Sequence, residues 1–254
     1  MPDVPAARNA LRVLRMLAGR TAPVAAATLA RELGIPRSSL YQLARAMMDE
    51  GFIVHYPEER AYGLSSLVVE IGSASLATER LQRLAHPLLE RLVAASPVPC
   101  VAHLAVLTGA EVTYIDRVSA PRAPTTVSNV GVRLPAHLTA TGRAMLSGLA
   151  APQVRALYPH RDALIRRVAP GPSTLDELGS ILSETRSRRW AVEEGDVTRG
   201  YSSVAAAALD RNAYPAAGLG LTYRSGVPAE ETESMGRAVA AAAASLTDRL
   251  AGRG

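Results

Sequence analysis

Three helical patterns followed by a two-stranded pattern fill the first quarter of the chain, and this order constrains the fold more than any other feature. Apolar residues recur at helical spacing over residues 6–18, 25–33 and 36–50. After Gly51 the period becomes extended over 52–64, where two β-rich runs flank a short polar turn. The order helix, helix, turn, helix, hairpin predicts a winged helix-turn-helix domain.

The turn Leu33–Pro36 is short enough to force the second and third helices to cross steeply. That geometry lets the third helix lie in the major groove of DNA, where hydrogen-bonding side chains on its outer face read base edges or bind phosphates. Arg60, at the predicted hairpin tip, is placed to reach a neighbouring phosphate or the minor groove. The outer face of the helix carries Arg37, Ser38, Ser39, Tyr41, Gln42 and Arg45.

Two observations bear on this DNA-binding hypothesis from opposite sides. The formal net charge of +5 is compatible with a nucleic-acid partner. The acidic residues Asp49, Glu50, Glu58 and Glu59 count against it. The alternative is that the polar residues form a solvated helix face, or that the three helices serve as a protein docking module.

The absence of lysine excludes several kinds of enzyme site. All 28 are arginine, so the chain has no lysine for a phosphate-binding Walker A loop, a pyridoxal Schiff base or a Ser-x-x-Lys nucleophile. Cys100 is the single cysteine and forms no intramolecular disulfide, and the five histidines lack metal-site spacing. With no membrane-length apolar run and no signal-peptide pattern, we expect a soluble cytoplasmic protein without a membrane partner, metal or cofactor.

The remaining three quarters of the chain predict a second, mixed domain. Strands are expected at 101–107, 111–118, 201–209 and 214–223, and helices at 66–74, 81–92, 139–149, 152–158, 174–188 and 229–250. Helices flanking a mostly antiparallel sheet define an α+β fold. We therefore predict a DNA-binding domain over 1–65, a linker helix over 66–79, and an effector-binding and oligomerisation domain over 80–254.

Several motifs occur in an order that resembles one known family. The segment Leu33–Ser39 followed by Gly51–Ile53 resembles the winged helix of the IclR family of bacterial regulators. Leu134–Ala144 is similar to that family's Leu-Pro-x-His-x-Thr-Ala-x-Gly-Lys-Ala segment, and Arg189–Gly195 and Gly200–Ala206 are similar to its later motifs. The resemblance covers nearly the whole chain.

The resemblance implies a C-terminal α/β effector domain related to GAF sensors and a dimer or tetramer bound to a palindromic double-stranded operator. It also implies control of a catabolic operon through a small metabolite that is often a carboxylate. We expect a repressor, and the family also contains activators. Gly220 and Thr222 are separated by one residue, so on a strand both face the same side of the sheet. Carried over one by one, the ligand-binding positions of the family fall on Thr139, Ala140, Thr141, Glu193, Ser203, Gly220 and Thr222.

Four positions depart from the family pattern. Arg143 stands where lysine is usual, which we attribute to the absence of lysine throughout the chain, and Gln42 stands where arginine is common. Glu193 replaces the more frequent aspartate, and Gly220 replaces a serine. Because glycine removes a donor and opens volume, we hypothesise a ligand larger and less polar than glyoxylate, such as an aromatic or branched acid derivative.

An enzymatic second domain is the alternative hypothesis. Gly200–Val204 lacks the closing glycine of a nucleophile elbow, and no His–acid pair is placed by sequence to activate a serine there. His137 is expected to pack or hydrogen bond rather than act as a base, and we predict no catalytic residue. A hydrolase or transferase with a fused helical interaction module stays open at this point.

Overall fold

The computed structural model describes residues 4–20, 22–160, 163–165, 167 and 171–253. The chain divides into two compact units, Met1–Ala77 and Thr78–Gly254. Each unit has a hydrophobic core of its own.

The N-terminal unit contains the predicted three helices and hairpin. Its elements are α1 (Pro5–Ala18), β1 (Val24–Ala25), α2 (Ala26–Leu33), α3 (Arg37–Asp49), β2 (Ile53–Tyr56) and β3 (Ala61–Leu64). The three strands form an antiparallel sheet in the order β1-β3-β2. The winged helix-turn-helix is confirmed, and the two-residue strand β1 is an addition that the sequence pattern did not reveal.

The core of this unit comes from one apolar stripe on each helix. Val13 and Leu17 on α1, Leu29 on α2 and Leu40 on α3 are all buried, and they pack with Ile53 from the hairpin. Their spacing places them on the inner face of each helix, which leaves the polar positions between them outside.

The C-terminal unit is built on a six-stranded antiparallel sheet with the order β6-β5-β4-β9-β8-β7. Its strands are β4 (Cys100–Thr108), β5 (Glu111–Ser119), β6 (Arg133–Pro135), β7 (Ala191–Glu194), β8 (Tyr201–Leu209) and β9 (Pro215–Arg224). Its helices are the C-terminal part of α4 (Ser66–Ala95), α5 (Ala140–Ser147), α6 (Ala151–Leu157), α7 (Leu175–Arg188) and α8 (Ala229–Ala251), with a 3₁₀ turn at Ala136–Leu138. The predicted helices flanking a mostly antiparallel sheet are confirmed.

Two features differ from the sequence prediction. The segments expected as two helices, 66–74 and 81–92, form the single helix α4, with Pro87 inside it. Proline is compatible with helical φ angles and removes one hydrogen bond, so it need not end a helix that packs well on both sides. The short strands β6 and β7 were not predicted.

Of the helices in the described part of the chain, none combines the length and apolar composition needed to cross a bilayer.

The two faces of the larger sheet carry side chains of different size. One face presents large apolar residues, such as Leu104, Leu219 and Leu221, to α8 and the C-terminal part of α4. The other face presents Ala205 on β8 and Gly218 and Gly220 on β9 to helix α5. Small residues let the backbone of a helix approach a sheet closely, so α5 lies tight against this second face.

Helix α5 makes its closest backbone contact at Gly142. A Cβ atom at this position would lie 2.1 Å from the carbonyl oxygen of Ala136 and 2.4 Å from its Cα. No rotamer change can relieve a contact with backbone, so any side chain here must move the 3₁₀ turn or the helix. By contrast, a Cβ atom at Gly179 on α7 would meet nothing within 4 Å.

We predict that Gly142→Ala lowers the free energy of unfolding by about 3 kcal/mol, because overpacking against backbone strains the α5 region. Gly179→Ala is the matched control and is expected to raise it by about 0.5–1 kcal/mol, because alanine is the better helix former. Urea denaturation of both variants measures the difference. Equal stability of the two variants would contradict the close packing of α5.

Candidate functional site

A tight turn fixes the angle at which α3 leaves α2. Gly34, with φ of 66°, ends α2 in the left-handed conformation that glycine adopts without strain. The amide of Ile35 donates to the carbonyl of Ala30 at 3.0 Å, and the Ile35 side chain is buried in the core. Pro36 then precedes the first turn of α3, where its carbonyl accepts from the amide of Leu40 at 2.9 Å. The turn therefore anchors the start of α3 to the core.

The outer face of α3 is exposed, and its two arginines have no ion-pair partner among the described residues. The inward positions Leu40, Ala44 and Met47 are buried. Within the described residues, neither Arg37 nor Arg45 has an ion-pair partner, so both guanidinium groups are available to an external anion. All the residues predicted on this face are exposed: Arg37, Ser38, Ser39, Tyr41, Gln42 and Arg45.

Arg60 lies in the hairpin turn, as its sequence position predicts. It is exposed, has a positive φ of 48°, and its amide donates to the carbonyl of Pro57 at 3.3 Å. The hairpin behind it is held by an antiparallel register that pairs His55 with Tyr62, whose rings are 4.9 Å apart. The guanidinium group of Arg60 thus projects from a defined turn of the N-terminal unit.

A small cavity of about 30 Å³ lies in the C-terminal unit on the sheet face that carries α5. Five of the seven residues predicted to bind a ligand line it: Thr139, Ala140, Glu193, Ser203 and Thr222. The other two, Thr141 and Gly220, lie against each other beside it. Strands β4, β5, β7, β8 and β9, the start of α5 and residues 126–128 and 197–198 all contribute to the wall.

Glu193, Ser203 and Thr222 form a polar row across three neighbouring strands. The antiparallel register pairs Glu193 on β7 with Ser203 on β8, and Ser203 with Thr222 on β9. The hydroxyl oxygens of Ser203 and Thr222 are 2.9 Å apart, so one donates to the other. Directly paired residues point to the same face of a sheet, which explains why three positions far apart in sequence meet in one wall.

Glu193 is the acidic group of the cavity and is 3% exposed. Burial raises the pKa of its carboxyl group, an effect opposed by hydrogen bonds from the Val197 amide and the Ser203 hydroxyl and reinforced by the charge of Asp196. The Val197 amide donates to Oε1 of Glu193 at 3.2 Å. The carboxylate is therefore held by donors from the loop after β7 and from β8.

Arg143 on α5 ties the helix to the segment that carries Glu193. Its Nε donates to the carbonyl of His137 at 2.9 Å and its Nη1 donates to the carbonyl of Val192 at 3.0 Å. Its Nη2 pairs with the carboxylate of Asp196, and the Arg143 side chain is only 6% exposed. With three partners, the guanidinium group of Arg143 has a structural role. The absence of lysine from the chain, to which we attributed arginine at this position, is therefore not its whole explanation.

Thr139 and the first residue of α5 form part of the cavity wall. Thr139 caps the helix, because its Oγ1 accepts from the amide of Gly142 at 3.0 Å. Ala140 follows and also lines the cavity, whereas the side chain of Thr141 turns toward the β9 glycines. The predicted Thr-Ala-Thr segment is thus divided between the cavity wall and the helix–sheet contact.

The volume argument drawn from Gly220 was wrong. A Cβ atom at Gly220 would lie 2.9 Å from Nε2 of His103, 3.0 Å from Cγ2 of Thr141 and 3.3 Å from Cβ of Ala205. The space that glycine vacates is filled by these neighbours rather than added to the cavity. Gly220 gives no support for a larger ligand; it makes room for His103.

His103 is the main residue that the sequence analysis missed. It lines the cavity from β4, is 2% exposed and packs edge-on against Tyr114 with ring centroids 5.0 Å apart. Burial, aided by the positive charge of Arg117, lowers the pKa of His103 to about 4, so its imidazole is neutral at pH 7. Its Nδ1 atom has no hydrogen-bond partner among the described residues.

The sequence contains one feature from which His103 could have been predicted as a site residue, but few such features for the other residues of the cavity wall. A histidine inside the apolar run 101–107 is a buried polar residue that needs a partner. Tyr114, Tyr201 and the segment 126–128 also line the cavity, but their sequence context gives no sign of it. The pairing of β4 with both β5 and β9 brings His103 to this wall, and that pairing is non-local.

The serines and histidines of this unit do not form an acyl-transfer arrangement. Ser203 bonds to Thr222, and Ser202 has its oxygen 2.8 Å from that of Ser225. Nε2 of His137 is 2.9 Å from the carbonyl oxygen of Ile165, in line with the packing role expected for it. Across the part of the chain that the structure describes, no three His, Cys, Asp or Glu side chains cluster as metal ligands would.

Comparison with known proteins gives two family matches that together span most of the chain. The model of the IclR helix-turn-helix domain matches residues 6–57. The model of the C-terminal domain of the bacterial transcriptional regulator IclR matches residues 73–248, which includes every residue of the cavity wall.

Individual relatives agree with these matches. The chain is 27% identical over 214 residues to the acetate operon repressor of Salmonella typhimurium, covering 84% of this chain and 77% of that one. The structure of the Agobacterium tumefaciens repressor BlcR matches with a TM-score of 0.62 at 25% identity, covering 97% of both chains. An IclR homolog from Microbacterium hydrocarbonoxydans, complexed with 4-hydroxybenzoate, has the same fold, with a TM-score of 0.64 at 18% identity and coverage of 97% and 99%. The winged helix, the cavity-bearing sheet and both family matches lead to one conclusion: this chain belongs to the IclR family of bacterial transcriptional regulators.

Proposed function

We propose that this DNA-binding regulator is a repressor of a catabolic operon, and that a small organic-acid-like or aromatic effector in the C-terminal cavity controls its binding to operator DNA. In this proposal residues 1–65 bind DNA, residues 66–79 form the linker, and residues 80–254 bind the effector and assemble the oligomer. One observation carries the proposal. A single chain joins an exposed helix, whose Arg37 and Arg45 have no ion-pair partner among the described residues, to a separate unit whose cavity carries a row of polar groups.

The surface of α3 supports the DNA-binding half. Arg37, Ser38 and Ser39 lie in its first turn, where backbone amides and a guanidinium group together suit a phosphate. Tyr41, Gln42 and Arg45 follow on the exposed face and have the hydrogen-bonding groups that base recognition requires.

The cavity supports the effector-binding half. Its wall combines aromatic and apolar side chains with several converging polar groups, and converging polar groups are what orient a small molecule in a binding site. Two of the relatives described above have one of these properties each. The Salmonella typhimurium protein is a repressor of the acetate operon, and the Microbacterium hydrocarbonoxydans homolog binds the aromatic acid 4-hydroxybenzoate. We extend both properties to this chain as part of the proposal.

The proposed mechanism is thermodynamic linkage within a dimer or tetramer on a palindromic operator. If the effector binds one arrangement of the C-terminal units better than another, it changes the spacing of paired α3 helices relative to half-sites about one DNA turn apart. A coupling free energy of about 1–3 kcal/mol alters operator affinity roughly 5- to 150-fold.

We further propose that the protein acts without catalysis and does so in the cytoplasm, where a bacterial operator is located. The hydroxyl of Ser203 hydrogen bonds with Thr222 and with the carboxyl group of Glu193, and no histidine among the described residues bonds to it, which disfavours the hydrolase alternative. The relatives named above are transcriptional regulators, and nothing in the geometry of the cavity favours a second function.

A gel-shift titration with the DNA upstream of the protein's own gene tests the proposal. We expect specific binding that weakens steeply as salt rises, because arginine–phosphate contacts release counterions. Scrambled DNA of the same length is the control. The proposal fails if the upstream DNA binds no more tightly than the scrambled DNA at every salt concentration.

We predict that Arg37→Ala and Arg45→Ala each weaken specific DNA binding about tenfold, because each removes a guanidinium group that has no ion-pair partner among the described residues. Arg237→Ala is the matched control, since Arg237 is an exposed arginine of the C-terminal unit that pairs with Glu233. Fluorescence anisotropy measures DNA affinity, and thermal denaturation verifies the fold. An equal loss of affinity in all three variants would mean that α3 is not the DNA-reading helix.

A further inference from the structure

The cavity wall runs from buried to exposed along one direction of the sheet. His103 lies in the row that packs against α5 and is 2% exposed. Ser203 and Thr222 pair in the next row, and Tyr201 pairs with Arg224 in the row after it. Thr222 and Tyr201 are half-buried and Arg224 is exposed. The cavity therefore opens to solvent on the side of Tyr201 and Arg224, which we call the cavity opening.

The cavity has room for only a small group of atoms. Its volume of about 30 Å³ corresponds to roughly two water molecules. With the wall in this arrangement, an organic effector of more than a few atoms places one end beside Ser203 and Thr222 and extends through the opening. The residues outside the opening therefore contact the other end of such a molecule.

Arg224 lies at the cavity opening, on the face of β9 that carries the cavity. Alternate residues of a strand point to opposite faces, so Arg224 shares a face with Thr222. Tyr223, between them, belongs to the hydrophobic core on the other face, which agrees with this alternation. Two residues along a strand span about 7 Å, a distance that an arginine side chain can cover.

Arg199 reaches the same opening from the turn before β8. The amide of Tyr201 donates to the carbonyl of Thr198 at 3.2 Å, which closes a tight turn. Thr198 and Tyr201 both line the cavity, and Arg199 lies between them in sequence and is exposed. The backbone of Arg199 is therefore fixed directly beside the wall.

The turn that carries Arg199 is joined to the end of β9. The amide of Ser225 donates to the carbonyl of Gly200 at 2.9 Å, so Arg199 and Arg224 lie on adjoining segments. Among the described residues, neither arginine has an ion-pair partner or a side-chain hydrogen bond. Both guanidinium groups are available to a molecule in the opening.

Two other arginines near the cavity already have partners. Arg143 pairs with Asp196, and Nη1 of Arg117 donates to Oδ1 of Asn129 at 3.0 Å. A guanidinium group binds a carboxylate through two parallel hydrogen bonds, and two such groups on one side of an opening attract an anion. The positive charge that a ligand meets is therefore at the opening rather than in the buried wall.

We propose that Arg199 and Arg224 form an anion-binding subsite at the cavity opening, and that the effector is an elongated molecule whose outer end carries a carboxylate. Its inner end, a small polar group, enters the cavity beside Ser203 and Thr222. The inference rests on the proposed function in taking the cavity as the effector site. It adds two ligand-binding residues and narrows the organic-acid-like or aromatic class to acids with a carboxylate at the outer end.

Two probe pairs test the inference on the full-length protein. 4-Hydroxybenzoate is compared with 4-hydroxybenzyl alcohol, and 6-hydroxyhexanoate with hexane-1,6-diol. Each pair keeps a hydroxyl at one end and exchanges a carboxylate for CH₂OH at the other. Calorimetric titration measures binding up to millimolar concentrations. We expect at least one acid to bind, and to bind about tenfold or more tightly than its matching alcohol, because charge-assisted hydrogen bonds are stronger than neutral ones.

Arg199→Ala and Arg224→Ala separate the opening from the buried wall. Each is expected to weaken binding of the acid about three- to tenfold and to leave binding of the alcohol within about twofold. Arg237→Ala is the matched control, because it removes one positive charge from α8, which packs on the other face of the sheet. It should leave the ratio of acid to alcohol affinity unchanged, and thermal denaturation verifies that all variants fold.

A charge series at position 224 tests the same contact without removing the side chain. Arg224→Lys keeps the positive charge and should retain most of the affinity for the acid. Arg224→Glu places a like charge beside the carboxylate and should weaken the acid more than Arg224→Ala does. The affinity for the alcohol should change little across the series.

Several results would overturn the inference. It is wrong if no probe binds, if an acid binds no more tightly than its matching alcohol, or if the preference for the acid survives both Arg199→Ala and Arg224→Ala. A carboxylate held inside the cavity instead of at the opening would give the last of these results. All are separable from failure of the proposed function, because specific binding to upstream DNA is measured without any probe.

Discussion

Close contact between α5 and the sheet is the constraint on which the C-terminal unit depends. The strands beneath the helix present Ala205, Gly218 and Gly220, and the helix presents Gly142 to the preceding 3₁₀ turn. Because only small side chains lie between the helix and the strands, the start of α5 is brought to the sheet surface, and Thr139 and Ala140 become part of the cavity wall. A larger residue at any of these contacts would lift the helix and open the wall.

The same helix also fixes the acidic side of the cavity. Arg143 reaches from α5 to the carbonyl of Val192 and to Asp196, the residues on either side of the segment that holds Glu193. A buried guanidinium group is tolerated when its donors are satisfied, and here three of its nitrogens have partners. Packing of small residues and one buried ion pair therefore determine together where the carboxylate of Glu193 lies.

The elements with a strong local pattern were predictable from the sequence. The helices of the winged domain and the long strands β4, β8 and β9 follow apolar periods of 3.6 or 2 residues, which are local properties. Strand β1 has two residues, β6 three and β7 four, too few for a period to show. Glu193 was nevertheless identified, through the family motif rather than through its strand.

The remaining details of the site depend on contacts between distant segments. Sequence shows that Gly220 lacks a side chain, but the neighbours that fill the space are His103, from a strand more than a hundred residues earlier, and Thr141. The charge balance of the wall is equally non-local, because it depends on which arginines are already engaged. The fold class and helix α3 therefore follow from local pattern, whereas the composition of the cavity wall follows from strand pairing and packing.

The central claim is that occupancy of the cavity and affinity for DNA are linked. The most direct test measures binding of the full-length protein to its upstream DNA with and without saturating 4-hydroxybenzoate, the ligand of the homolog described above, and binding of 4-hydroxybenzoate with and without that DNA. Linkage predicts that both affinities change by the same factor, roughly 5- to 150-fold. A cavity shown to be saturated while DNA affinity stays the same would contradict the account.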